Sequence, residues 1–335
     1  MSNQSEIKIT DCGKIGIYYL KLIWNYYEEL KKNHREIKKI DWKYVNGVFN
    51  ALGLGTEPTI KYLMQSNNSF DQFESWILKN GRISKPIIEQ FNAVVSSEKE
   101  NHFIPEETVF NQSELEQWHQ NGYIILKNAV PEIDCIKTVN LIYNTIEANS
   151  SEPDSWYKPH PLKNGIMIQL FNSPILESNR LSKKIQIAYQ QLWNRKDLLV
   201  SMDRVSFNPP ETRSYKFPGP KLHWDVSLKT PIPFGLQGLL YLSDTDENQG
   251  AFTVIPGFHK NIENWLKNLN DDENPRDINL LNDYKKKHIA AKAGDFIIWN
   301  QCLPHGSSPN TSDKPRIVQY INYQPIDLEY QTEWI

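Results

Sequence analysis

Cysteine is scarce in this sequence of 335 residues: Cys12, Cys135 and Cys302 are far apart and form neither a CxxC pair nor a zinc pattern. An odd, scattered set of this kind excludes a disulfide framework and reads as reduced thiols of a cytoplasmic protein. There is no basic block, and the net charge of −3 argues against nucleic acid or an anionic membrane as partner. No apolar run approaches a membrane span, and Met1 is followed by polar residues where a secretory signal would be basic and then apolar. No repeat period is present. The composition that remains, 39% hydrophobic and 23% charged, is that of a soluble globular chain long enough for one large domain or two smaller ones. Aromatic residues are the one excess. With 10 Trp and 16 Tyr, the chain leans toward packed sheets or a lined pocket. Its oligomeric state cannot be read at this level.

The first 97 residues carry helical periodicity. Apolar positions from Ile15 through Leu30 recur at threes and fours, a second run covers Trp42 to Leu52, and Thr56-Glu57-Pro58 opens a third. Ser69 and Gln72 form a capping box ahead of a fourth helix, which stops at Asn80-Gly81. The Tyr and Trp stripe there predicts core packing, with a lid or an oligomer contact as the functional reading. A polar stretch at 98–112 reads as a linker. Residues 113–335 then form the second region, with Ser113 to Glu116 as a capping box, a strand at Tyr123–Leu126 and a helix from Pro131 to about Ala148.

Strands dominate from Ile166 onward. They are expected at 166–171, 199–207, 236–242, 251–255, 295–299 and, last, 317–323, with Gly/Pro turns between them. Only an Asn/Asp/Lys-rich insertion near 261–287 interrupts. Many short strands without alternating helices predict an α+β chain built on a sandwich or jelly-roll barrel, with flanking helices and an N-terminal helical region.

Two motifs carry chemistry. His223-Trp224-Asp225 and, far downstream, His305 supply two imidazoles and one carboxylate, a set that can occupy one face of an iron(II) ion and leave the other face open. On an extended strand His223 and Asp225 point the same way, with Trp224 turned to the opposite side for packing. Arg316, at the start of the last strand, can grip a carboxylate in two-pronged fashion, with the Ser307 hydroxyl adding a third bond. A cupin-like metalloenzyme that does not use 2-oxoglutarate, and a non-catalytic binding protein on the same scaffold, are the competing readings.

From about Ser113 to Tyr323 the chain resembles the phytanoyl-CoA dioxygenase family of iron(II)/2-oxoglutarate oxygenases. The resemblance runs through Asn208-Pro209-Pro210, Leu222-His223-Trp224-Asp225 and Gly250 to Lys260, and continues through Ala293 to Trp299, His305-Gly306-Ser307 and Pro315-Arg316. It implies a double-stranded β-helix, cupin-like core, with iron held by His223, Asp225 and His305. It also implies 2-oxoglutarate bound by Arg316 and Ser307, with Gln169 near a further co-substrate position where the family often has a basic residue. The implied reaction consumes O₂, releases succinate and CO₂, and hydroxylates a small-molecule substrate. Related halogenases have a small residue at the position of Asp225, so its carboxylate favours hydroxylation over chlorination; desaturation or ring chemistry stays open. Candidate substrate contacts are Trp156, Tyr157 and His160 ahead of Gln169, and Arg204, Arg213, Tyr215 and Lys216 ahead of the first histidine. This group suits an anionic or zwitterionic metabolite, such as an amino acid or a phosphorylated or acyl compound. Arg213 and Lys216 read equally well as solvated loop charges.

Overall fold

The computed structural model describes residues 7–32, 40–65, 67–96, 107–270, 272–329, 331 and 333–335. Its helices are α1 (Leu20–Lys31), α2 (Trp42–Ala51), α3 (Thr56–Gln65), α4 (Phe70–Asn80), α5 (Lys85–Ser96), α6 (Gln112–Asn121), α7 (Glu132–Thr145), α8 (Pro174–Arg180), α9 (Lys183–Trp193) and α10 (Ile262–Lys267). The strands are β1 (Tyr123–Leu126), β2 (Lys163–Asn164), β3 (Met167–Ile168), β4 (Leu198–Val200), β5 (Val205–Asn208) and β6 (Leu236–Tyr241). They continue with β7 (Phe252–Val254), β8 (Lys287–Ile289), β9 (Phe296–Asn300), β10 (His305–Ser307), β11 (Arg316–Tyr320) and β12 (Tyr323–Pro325). None of the described helices is long and apolar enough to cross a membrane.

The chain divides into two compact units. One comprises Met1–Phe103, Arg195–Met202 and Tyr323–Leu328; the other comprises Ile104–Asn194, Asp203–Asn322 and Glu329–Ile335. In the first unit α1 to α5 pack around Leu20, Phe49, Phe73 and Phe91, and Trp24 and Tyr62 meet neighbouring rings as core aromatics do. Helix α1 begins later than its periodicity predicts, because Gly16 and Tyr19 take left-handed backbone angles (φ 83° and 68°) and turn the segment before Leu20. The Ser69–Gln72 capping box forms as read from the sequence. An antiparallel ribbon of β4 and β12 joins these helices, and the Gln90 amide donates to the Leu198 carbonyl at 2.8 Å.

The second unit holds a seven-stranded antiparallel sheet in the order β1-β9-β6-β11-β5-β3-β2 and a three-stranded sheet in the order β10-β7-β8. Between them lies an apolar core of Leu239, Tyr241, Ile297, Trp299 and Val318 from the large sheet and Phe252, Val254 and Ile289 from the small one. This is the double-stranded β-helix layout. Strands of period two supply it: Arg316, Val318 and Tyr320 share one face of β11, while Gln319 turns to the other and bonds Asn179 and the Leu176 carbonyl of α8.

Several local expectations change. The single strand expected at 199–207 is two strands, β4 and β5, which belong to different units; the last strand likewise splits into β11 and β12. Helices α8 and α9 fall where only strands were expected, although Ser173-Pro174 is a start signal, with the Ser173 hydroxyl capping Ile175 N–H. The linker expected at 98–112 lies outside the described residues through 106, and Gln112 already begins α6. The capping box of α6 is Asn111 with Glu114, which bond each other's backbone N–H at 3.0 and 2.8 Å; Ser113 sits inside the first turn and caps nothing. Asn111→Ala should therefore lower stability by about 1 kcal/mol, while Ser113→Ala stays within about 0.5 kcal/mol, both read by urea unfolding.

Candidate metal centre and its cavity

His305 lies on β10, whose ladder with β7 pairs it with Val254. On its other side it exchanges both backbone hydrogen bonds with His223, His223 N–H to His305 O at 2.8 Å and His305 N–H to His223 O at 3.0 Å. His223 is thus held in a one-residue bridge, where the sequence predicted an extended strand. The convergence expected of its side chain with Asp225 still occurs. His223 Nε2 is 3.4 Å from Asp225 Oδ1, and His305 Nε2 is 3.2 Å from Asp225 Oδ2. The three side chains offer one ligand atom each, all within 4.8 Å of one another.

Gly306 permits this approach. A Cβ there would stand 2.4 Å from the Lys221 carbonyl oxygen, inside backbone that cannot yield cheaply. The imidazoles are oriented from behind: Nδ1 of His223 donates to the Lys221 carbonyl at 2.7 Å, and Nδ1 of His305 donates to the Leu303 carbonyl at 3.0 Å. A carbonyl only accepts, so each Nδ1 carries a proton and each Nε2 is turned to the centre. Gln237 donates to Asp225 Oδ2 at 2.8 Å, and its own oxygen accepts from the Trp299 indole at 3.0 Å, which fixes the amide's orientation. Burial works against ionisation of Asp225, but the hydrogen bonds from His223 and His305 prevail and hold its carboxyl well below the usual carboxylate range. Burial likewise opposes the charging of His223, and Asp225 outweighs it and raises that pKa. Two nitrogens and an ionised carboxylate on one face fit a divalent cation with open positions opposite.

A cavity of about 200 Å³ opens beside these residues. Of the residues singled out from the sequence, His223, Asp225, His305, Ser307 and Arg204 border it. Arg316, Gln169, Trp156, Tyr157, His160, Arg213, Tyr215 and Lys216 are not in its lining. Trp156 is buried, with its indole on the Asn149 carbonyl, and Tyr157 bonds the Pro210 carbonyl and packs on Tyr215. His160 Nδ1 accepts from Leu162 N–H, Gln169 N–H donates to the Leu162 carbonyl, and Lys216 reaches Glu211 at 3.6 Å while Arg213 is exposed. The lining also includes Met167, Asp203, Gln237, Phe252, Trp299, Tyr320 and Asn322, which the sequence reading did not single out. Two-residue steps from Arg316 lead to Tyr320, so that residue was within reach of strand periodicity.

Arg316 is fully buried at the start of β11, opposite Asn208 of β5. One nitrogen makes a long 3.4 Å contact with the Ser206 hydroxyl, and Nε and Nη2 have no hydrogen-bond partner. A buried guanidinium left this way costs several kcal/mol unless an anion meets it. The donors fit a carboxylate.

A His/Asp/His group that could hold a metal, set in a double-stranded β-helix, is the arrangement of the non-haem iron dioxygenases that consume 2-oxoglutarate. The family model for phytanoyl-CoA dioxygenase (PhyH) matches residues 118–318, and the chain belongs to that family. A phytanoyl-CoA dioxygenase homologue from Dictyostelium discoideum is 25% identical over 264 residues, 63% of this chain and 74% of its own length. Among solved structures, EctD from S. alaskensis with bound Fe aligns at a TM-score of 0.50 and 18% identity, over 72% of this chain and 86% of that one. SnoK, an alpha-ketoglutarate-dependent carbocyclase from nogalamycin biosynthesis, aligns at 0.48 and 16% identity, over 66% of this chain and 87% of that one.

Substituting Gly306 by Ala should part the two backbone segments. The His223 and His305 amides should then exchange hydrogen faster than in the parent protein, and unchanged protection at both would show that the contact is not tight.

Proposed function

We propose that the protein hydroxylates an unactivated C–H bond of a small metabolite bearing an anionic group. In this reading His223, Asp225 and His305 hold iron(II), and Arg316 with Ser307 grips the distal carboxylate of 2-oxoglutarate. The observation that carries it is the pair of unpartnered nitrogens on the fully buried Arg316. Iron and 2-oxoglutarate, when bound, supply the activation of O₂ and the hydroxylation, with succinate and CO₂ released. The protein's own residues orient and shield. Backbone carbonyls keep both imidazoles turned inward, Gln237 holds the Asp225 carboxylate, and Phe252 and Trp299 present apolar surface that keeps the cavity wall dry. With iron bound, Asp225 would be a ligand where related halogenases have a small residue, which would favour hydroxyl as the group delivered.

The anionic substrate group is inferred from Arg204. It borders the cavity, and Tyr320 N–H donates to its carbonyl, so it lies four residues along the β5–β11 pairing from the Arg316 row. The only ion partner of Arg204 among the described residues is Asp203, at 3.9 Å through Nε, which leaves its outer nitrogens for a ligand.

His223→Ala, Asp225→Ala and His305→Ala should each sharply weaken iron binding and abolish turnover in a soluble protein; full activity in any one removes that residue from the ligand set. Arg316→Lys keeps the charge and loses the fork. Its apparent 2-oxoglutarate requirement should rise by about one to two orders of magnitude, since each charge-assisted bond contributes about 1.5–3 kcal/mol. Iron affinity without co-substrate should stay put, and the opposite pattern would overturn the assignment. Substrate-stimulated succinate release across a panel of small acids and their neutral esters should favour the acids, and Arg204→Gln should erase that preference.

A further inference from the structure

We infer that Arg276, from the polar insertion, positions the backbone that carries the carboxylate of the metal centre, while Gln237 holds the carboxylate itself. The two histidines have backbone ladders to hold them: His305 is in β10, and His223 exchanges two hydrogen bonds with it. Asp225 has none. It stands on irregular chain between β5 and β6, and among the described residues neither the Trp224 nor the Val226 carbonyl accepts a backbone hydrogen bond. Arg276 takes both. Its Nη1 donates to the Trp224 carbonyl at 3.0 Å and its Nη2 to the Val226 carbonyl at 2.8 Å, so one rigid fork spans the residue between them.

The arginine is itself anchored. Nε and Nη2 both donate to the Ile335 carbonyl, at 3.0 and 2.7 Å, and the guanidinium lies 4.6 Å from the Trp334 ring centre. Ile335 in turn ties back to the same loop, donating to the Ser227 hydroxyl at 3.1 Å and accepting from Leu228 N–H at 3.2 Å. On the Arg276 side, the Asn274 side chain accepts from Arg276 N–H at 3.0 Å. The insertion, the last residues of the sequence and the Asp225 loop are thereby closed into one hydrogen-bonded ring.

This inference rests on the iron reading above, and charge makes the two roles of Arg276 separable. A guanidinium near the centre repels a cation, so as a bare charge its removal would tighten iron binding. As a positioning residue its removal loosens Asp225 and weakens binding, by about tenfold or more for an outer-sphere contact of this kind.

The test is iron(II) affinity of the full-length protein by anaerobic equilibrium dialysis without 2-oxoglutarate, alongside the thermal midpoint of the metal-free protein. Arg276→Ala should weaken binding about tenfold or more, and Arg276→Lys, a point charge without the planar fork, should recover only part of it. Trp334→Ala, which removes the stacked ring and none of the carbonyl contacts, should lose clearly less than Arg276→Ala does. Parent-like or tighter binding by Arg276→Ala overturns the inference and leaves the iron reading standing. So does an equal loss in Trp334→Ala, which would mark general loosening. If the parent protein itself binds no iron(II), the iron reading and this inference both fail.

Discussion

Two backbone hydrogen bonds between His223 and His305 are the constraint on which the rest of the centre depends. They bring together residues far apart in sequence, and they do so at a position where neither sheet continues. Everything nearby accommodates that contact: a glycine where a methyl group would strike backbone, carbonyls behind each ring, and Trp224 facing away to pack on Phe258 and Trp265 while its indole bonds the Cys302 carbonyl. The pairing is inexpensive in itself, since an amide hydrogen bond contributes about 1 kcal/mol net. Its worth lies in registration. A slip of one residue would send His305 to the opposite face and put Gly306 in its place.

In the proposed reading two charges stand ready for ligands. Asp225 is ionised by its histidine neighbours, and Arg316 is buried with donors unused. Burying a cation this way works against stability, and the guanidinium pulls back the Tyr241 phenol that burial pushes up. If Arg316 grips the co-substrate as proposed, the same arrangement spares the ligand reorganisation of its partner. The buried charge is accordingly better understood through binding than through folding.

The sequence made the centre legible because its chemistry is local: His-x-Asp on one short stretch, His-x-Ser on another, and Arg316 at a strand start. The strand-rich second region was legible from β-branched runs and Gly/Pro turns. What escaped was set by tertiary contact. Strand periodicity continues through 199–207 and 317–323, and nothing in it says that the chain leaves one sheet for another at Ser201 and Ile321. Helices α8 and α9 were hidden by the expectation of uninterrupted strands, despite the Ser-Pro start signal. Gln237 and Asp203 looked like any polar residues until the fold set them on the cavity wall. Most of the aromatic and basic candidates ahead of His223 proved to be engaged with their own neighbours.

The ribbon of β4 and β12 has a consequence for the order in which the chain matures. The first unit opens the sequence, yet two of its strands are drawn from Arg195–Met202 and Tyr323–Leu328. Domains emerging from a ribosome commonly fold from the N-terminus onward as each is completed. Here the five leading helices are made early, but the strand that closes their unit arrives only after nearly all of the dioxygenase unit has been synthesised. The Gln90 bond to Leu198 waits across much of that interval. The first unit to begin is thus finished only after the strands of the second have been made, and its helices wait incomplete until Tyr323–Leu328 is synthesised.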